Sequence, residues 1–240
     1  MAGRFLRLLS DTLMLAIDLM IPPVCQSCHR KLPDSTAILC DVCAPGVQNI
    51  GESSCPKCGS VLNEGVCENC RNLDFDFELA RSVYRFEEPL KTMIHNLKYR
   101  EHTRSAKWLA NGMAEYIAQN PIFQKSDYII AVPLHPVRKR ERGFNQSELI
   151  ARRVAKLSGI QYVEAVKRGR YTASQTMLHQ EQRLKNLKGA FRVNHPGRIS
   201  GKNILVIDDV FTTGSTLNEI SKTLHTAGAA RVFGLTACRA

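Results

Sequence analysis

The run Ile204-Leu205-Val206-Ile207-Asp208-Asp209-Val210-Phe211-Thr212-Thr213-Gly214-Ser215-Thr216-Leu217 decides how this chain is read. Four apolar residues bounded by polar ones suit a strand covered on both faces of a parallel sheet. Two carboxylates follow at its carboxyl end, then a hydroxyl-rich turn, then a helix. In open α/β sheets, ligands bind beyond the carboxyl ends of such strands. There, Asp208 and Asp209 can accept hydrogen bonds from two vicinal sugar hydroxyls. The Thr212–Thr216 turn offers backbone N–H groups and hydroxyls to a phosphate at a helix N-terminus, and Gly214 lets the backbone approach closely. A ribose 5-phosphate suits that arrangement. The plainer alternative is a strand-turn-helix whose acids merely cap the helix. Two adjacent acids followed by Thr-Thr-Gly-Ser-Thr are more particular than a cap requires.

Outward from this run, strands alternate with helices, the pattern of a parallel α/β sheet. Ala80–Phe86 reads as a strand, and Pro89–Tyr99 as a helix begun at proline. Residues 104–119 read as a second helix with Trp108, Met113 and Ile117 facing the core. Tyr128–Val132 is another buried strand, ending at Pro133-Leu134-His135-Pro136. A helix from near Phe144 to about Leu157 follows, then a short strand over Tyr162–Val166. Residues 167–190 carry little apolar periodicity and many Arg, Lys, Gln and Thr. They read as a mobile basic loop, and loops of that length in a compact domain tend to be functional lids. Arg231–Thr236 is the terminal strand.

The chain has 240 residues, 44% of them apolar, and a formal charge of +11. That composition is globular rather than disordered. Residues 135–198 hold 15 Lys/Arg against 4 Asp/Glu, so this one segment carries the whole imbalance. It implies an anionic partner, either a pyrophosphorylated sugar or a nucleic-acid backbone, unless it is simply a solvated face.

Eight of the nine cysteines form four Cys-x-x-Cys pairs: Cys25/Cys28, Cys40/Cys43, Cys55/Cys58 and Cys67/Cys70. Each pair grips one side of a tetrahedral Zn²⁺, and two pairs complete a site. Disulfides are the competing use of an even cysteine count, but the fourfold two-residue spacing is a metal signature. The expectation is two structural Zn²⁺ ions. Sequential pairing makes two ribbons, 25–43 and 55–70; interleaved pairing makes one cross-braced module. Spacing leaves both open, with the sequential form favoured. Cys238 stands alone and reads as a small buried hydrophobe.

Residues 1–24 loosely imitate a signal peptide through Arg4 and Arg7, but Asp11 and Asp18 interrupt the apolar run. Phe5, Leu9, Leu13, Ile17 and Met20 trace one face of an amphipathic helix expected to dock on the protein itself, with peripheral membrane contact as a minor alternative. Nothing is long enough to span a bilayer.

The Ile204–Leu217 run closely resembles the phosphoribosyl-pyrophosphate (PRPP) binding loop of type I phosphoribosyltransferases. Three other segments bear on identity. They are Asn96-Leu97-Lys98-Tyr99; Arg140-Glu141-Arg142-Gly143-Phe144-Asn145-Gln146-Ser147; and Arg170–Phe191, which holds Thr172-Ala173-Ser174-Gln175-Thr176, Arg183, Asn186 and Gly189-Ala190-Phe191. With the cysteine pairs, they are similar to the ComF family. Its members join a double zinc ribbon to a phosphoribosyltransferase-type domain. Beyond the amphipathic helix read at 1–24, the resemblance implies a double zinc ribbon at 25–72 and a type I phosphoribosyltransferase-like α/β domain at 78–240. It implies a cytoplasmic protein; the helix at 1–24 adds the inner face of the membrane as a peripheral alternative. That protein would handle incoming single-stranded DNA in natural transformation or DNA utilisation, with a competence helicase or the uptake machinery as partner. Tyr171 departs from the proline that many relatives carry there.

Carried over by the resemblance, Asp208 and Asp209 would hold the ribose hydroxyls and act in catalysis, with Mg²⁺ helped by the pyrophosphate oxygens. Thr212, Thr213, Gly214, Ser215 and Thr216 would wrap the 5-phosphate. Pro133-Leu134-His135 occupies the place of the pyrophosphate loop. Gln175 and Arg183 would close over pyrophosphate, and Arg138, Arg140 and Arg142 are further phosphate candidates. Purine-salvage relatives have a carboxylate where this chain has Thr212, and a threonine is a poor general base. With no group evident to activate an acceptor, the resemblance leaves two readings. One is a PRPP-binding protein that holds single-stranded DNA through basic and aromatic surface, with Phe144, Tyr162 and Tyr171 available to stack. The other is an active phosphoribosyltransferase acting on a nucleobase or nucleotide.

Overall fold

A computed structural model describes residues 22–51, 54–62, 64–72, 74–100, 103–169 and 187–240. The expected helix over residues 1–24 falls almost wholly outside them, as do Tyr171, Gln175 and Arg183. Strands β1 (Leu79–Arg85), β2 (Tyr128–Ala131), β3 (Gln161–Tyr162), β6 (Asn203–Phe211) and β7 (Arg231–Arg239) form one parallel sheet, ordered β1-β7-β6-β2-β3. Strands β4 (Val166–Arg168) and β5 (Phe191–Val193) pair antiparallel beside it. The α/β class expected from the sequence is the observed one.

Alternation along β6 sorts its side chains to two cores. Leu205 and Ile207 pack under helices α1 (Leu90–Tyr99), α2 (Thr103–Gln119) and α4 (Gln146–Ser158); Ile204 and Val206 pack under α5 (Ser215–Thr226) and β5. Each fully buried Leu, Ile or Val side chain of this kind contributes about 1.5–3 kcal/mol, which is why an all-apolar tetrapeptide settles in the middle of the sheet. A short helix α3 (Pro136–Arg142) links β2 to α4.

Three expectations are corrected. The acids do not follow the strand; they lie within it. β6 pairs with β7 as far as Phe211↔Arg239, whereas its other neighbour β2 stops at Ala131↔Ile207. Asp208 and Asp209 therefore stand on an overhang, paired on one side and beyond the strand end on the other. The Tyr162–Val166 strand is split, because the chain leaves the main sheet after Tyr162 and re-pairs as β4. The loop expected over 167–190 is strand at Lys167 and Arg168, and Leu187 and Ala190 near its other end are buried.

The cysteine-rich region is not a loosely tethered module. Asn96 Nδ2 donates to the Gln26 carbonyl at 3.0 Å, and Arg104 Nη2 donates to the carbonyls of Ser35 and Ala37 at 2.5 and 2.8 Å. Between the two ribbons, Gln48–Ile50 lies antiparallel along β1: Ile50 N–H donates to Val83 O at 3.1 Å and Arg85 N–H to Gln48 O at 2.8 Å. An edge strand that would present unpaired amides is thereby covered.

Candidate functional site

The site is assembled at the overhang of β6. Asn145, buried at the N-terminus of α4, accepts from Ser147 N–H at 3.2 Å and donates from Nδ2 to the Val132 carbonyl at 3.0 Å. That pair of bonds ties the start of α4 to the end of β2. It aims Ser147, whose Oγ donates to Asp208 Oδ1 at 2.7 Å. The Asp209 backbone N–H donates to the same oxygen at 2.9 Å. On the other carboxylate, Lys98 Nζ from the last turn of α1 lies 2.6 Å from Asp209 Oδ2.

Burial, compounded by the neighbouring Asp209 charge, pushes the Asp208 carboxyl up to about 7, against the pull of Ser147 and Lys98. Burial works against the charge on Lys98, but Asp209 and then Asp208 outweigh it and hold the ammonium pKa above its usual value. Two crowded carboxylates, one of them reluctant to ionise, make a donor set that a divalent cation or a polarised hydroxyl pair would relieve.

Beside the acids the chain turns at Thr212–Gly214 into α5. Asp208, Thr212, Gly214, Ser215 and Thr216 line one small hollow. Gly214 has φ +77°, and a Cβ there would sit 2.7 Å from Phe211 Cζ and 3.0 Å from Phe75 Cε1. Both backbone conformation and space thus demand glycine. Thr213 Oγ1 lies 2.7 Å from Ser215 Oγ and accepts from Ser215 N–H at 3.4 Å, while the N-cap of α5, Gly214, has no side chain to cap with. The first-turn N–H groups remain the natural seat of an anion.

Among the other residues singled out from the sequence, Arg142 comes to this site. Its guanidinium lies 5.0 Å over the Tyr99 ring, and it donates to Tyr99 Oη at 3.3 Å and Gln146 Oε1 at 3.2 Å. Arg138 pairs with Glu141 at 3.8 Å, and His135 Nδ1 accepts from Val137 N–H as the cap of α3. Arg140 lines a separate cleft of about 810 Å³ between α3, the start of α4 and β4, where Glu148, Tyr162, Glu164, Arg168 and Asn194 also lie. The acids do not line that cleft. The site is located by the carboxylates and the turn, since volume alone carries no chemistry. Gln175 and Arg183 lie outside the described residues. Phe144 and Tyr162 pack against the core, Tyr162 with Arg152 at 4.4 Å over its ring, while Tyr99 is 58% exposed. Sequence reasoning gives no individual role to Lys98, Tyr99, Asn145 and Ser147. The two motif segments that contain them are the available signal.

The cysteines gather sequentially. The sulfurs of Cys25, Cys28, Cys40 and Cys43 lie within 4.8 Å of one another, as do those of Cys55, Cys58, Cys67 and Cys70, and all nine cysteines are free thiols. Three neighbouring sulfur pairs are 3.5–3.6 Å apart. This is close to the roughly 3.8 Å edge of a tetrahedron with 2.3 Å Zn–S bonds. Burial disfavours the Cys25 thiolate, yet backbone N–H groups of Cys28, Cys40 and Ser27 outweigh it and bring the thiol down to about 7. Burial and neighbouring sulfurs push Cys43 up to about 12. Such a set sheds its first proton easily and needs a cation to hold all four charges. These are two zinc-binding sites, each of four cysteines.

Fold and site together define a phosphoribosyltransferase-type domain carrying a double zinc ribbon. Residues 103–239 match the phosphoribosyl transferase domain family, and residues 16–72 match the double zinc ribbon domain. The chain belongs to the ComF family of competence and DNA-utilisation proteins. It is 34% identical to DNA utilization protein YhgH of Salmonella typhimurium, over 92% of this chain and 99% of that one. It is 30% identical to competence protein F of Haemophilus influenzae, over 88% and 95%. It is 26% identical to competence protein ComFC of Streptococcus pneumoniae, over 82% and 86%. No described helix is long and apolar enough to cross a membrane.

Proposed function

We propose that this chain is a cytoplasmic PRPP-binding protein that handles single-stranded DNA entering the cell. The observation that carries the reading is the adjacency of the Asp208-Asp209 overhang of β6 to the Thr212–Thr216 turn. There, Asp208 and Asp209 take the ribose hydroxyls, and the turn and the first N–H groups of α5 take the 5-phosphate. Lys98 and Arg142 stand on the pyrophosphate side. Mg²⁺ bound with the pyrophosphate supplies charge neutralisation there. Ser147 orients Asp208, and Lys98 holds the Asp209 carboxylate in place at 2.6 Å until a ligand hydroxyl arrives. For DNA, the basic segment 135–198 attracts the backbone, and the exposed Tyr99 ring beside Arg142 offers a stacking surface.

A second reading, an active phosphoribosyltransferase, is favoured by the cleft of about 810 Å³ next to the start of α4. It is roomy enough for a nucleobase. One experiment separates the two. Zinc-loaded protein is titrated with PRPP and Mg²⁺ by calorimetry, and pyrophosphate release is followed with and without single-stranded DNA and nucleobases. Binding without release, lost in Asp208→Asn/Asp209→Asn, supports the first reading. Release lost in the same variant supports the second. No binding to the native protein sinks both.

A further inference from the structure

The second zinc site and the phosphate-type turn are joined by one side chain. Arg239 ends β7 and pairs in register with Phe211, the residue just before the turn. Its guanidinium edge faces the second ribbon: Nη1 donates to the Cys58 carbonyl at 2.7 Å, and Nη2 lies 3.8 Å from Cys58 Sγ and also donates to Ser60 Oγ. Ser60 Oγ is in turn 3.1 Å from Cys58 Sγ and accepts from Asn69 Nδ2 at 3.0 Å. The guanidinium face lies 4.4 Å over the Phe211 ring. That ring abuts Gly214, leaving no room there for even a methyl group. Phe75 and Phe77, stacked 4.7 Å apart, brace the same glycine and ring, in one core with Cys55 and Cys58.

We infer that Arg239 is a positioning residue that couples zinc binding at Cys55/Cys58/Cys67/Cys70 to anion binding at the Thr212–Thr216 turn. The inference rests on the reading of that turn as the PRPP site. Four thiolates around Zn²⁺ carry a net charge of about −2, which holds the guanidinium edge. A planar cation held by its edge fixes the ring beneath its face. Loss of the metal frees the Cys58 knuckle, whose carbonyl and sulfur are the partners of that guanidinium edge. The guanidinium then loosens, and with it the ring that sets the position of Gly214. Coupling between two binding equilibria is reciprocal. A ligand at the turn must therefore strengthen zinc binding at the second site by the factor that zinc strengthens the ligand. The first site docks instead on α1 and α2 through Asn96 and Arg104, so it is the internal control.

The test uses the full zinc-loaded chain challenged with a colorimetric zinc chelator, with and without saturating PRPP and Mg²⁺ or ribose 5-phosphate. Calorimetry on the same samples confirms occupancy. The expected result is two release phases, one slowed at least threefold by ligand and one unchanged. Arg104→Ala, which removes the tether of the first ribbon, should speed the unchanged phase and so identify it. Arg239→Gln should still load two zinc ions but lose the ligand effect, and weaken PRPP binding about threefold to tenfold. Phe211→Leu, which alters only the ring side of the link, should do the same with the zinc contacts intact. Bound PRPP with no change in either release phase would overturn the coupling and leave the PRPP site standing. Failure of the native chain to bind PRPP or ribose 5-phosphate would remove both.

Discussion

Lys98 and Asp209 meet at 2.6 Å although they come from opposite ends of the domain, one closing α1 and the other standing on the β6 overhang. Both side chains are largely out of water, so the pair is a place where removing one partner is costly. Lys98→Met should destabilise the protein by about 2–4 kcal/mol, because Asp209 is left uncompensated beside Asp208. Urea unfolding at pH 8 measures it. A loss under about 0.5 kcal/mol would mean that the pair is solvated.

The pH dependence follows from Asp208. Its folded pKa, about 7, stands above the ordinary 3.8. The folded state therefore holds a proton that the unfolded state has released between those values. The stability contribution of this group is fully present below about pH 4 and is lost as pH rises through 7. Asp208→Asn should melt with the native protein near pH 4. At pH 8 it should melt a few degrees higher, an advantage on the order of 1–3 kcal/mol. It should bind no PRPP at either pH. A variant less stable at pH 8 would contradict the buried-acid account.

Two glycines with the same φ of +77° separate backbone strain from crowding. An added methyl at Gly159 would have nothing within 4 Å, whereas one at Gly214 would meet Phe211 and Phe75. Gly159→Ala should cost about 1 kcal/mol, the ordinary left-handed penalty. Gly214→Ala should cost about 2–3 kcal/mol and abolish PRPP binding, since the aromatic rings must shift as well. Thermal melts and calorimetry on both variants check the difference.

Single-stranded DNA binding should fall steeply with salt and survive Asp208→Asn/Asp209→Asn, because the backbone charge and not the sugar site carries it. Replacing Lys139, Arg140 and Arg142 by Ala should flatten the salt slope. Tyr99→Ala should weaken binding by about 1–3 kcal/mol and leave the slope unchanged, as loss of a stacking surface does. Fluorescence anisotropy across a salt series reads both. A flatter slope for Tyr99→Ala would assign the effect to charge instead.

The parts legible from the sequence are those that local chemistry specifies. Ile204–Ile207 announces a doubly buried strand by being apolar throughout, and Cys-x-x-Cys spacing announces metal grip before any fold is known. The length of β6 is not legible. Asp208-Asp209-Val210-Phe211 has no strand pattern, and its extension depends on β7 running on past the end of β2. The break after Tyr162 is of the same kind, since a short apolar run does not reveal which sheet it will join. Lys98 and Ser147 escape assignment because their meaning lies in partners brought near by the fold. The choice between sequential and interleaved cysteine sets likewise depends on which sulfurs the fold brings close.

The Gln48–Ile50 segment laid along β1 makes the cysteine-rich half a chaperone built into the chain. A domain cut out at residue 78 would lose the backbone bonds to Val83 and Arg85 and present a bare strand to any copy of itself. The cysteine-rich region and the sheet are therefore joined through shared backbone hydrogen bonds. The nucleotide-type domain expressed alone should self-associate more than the full chain, and a substitution that frays Gln48–Ile50 should lower solubility first.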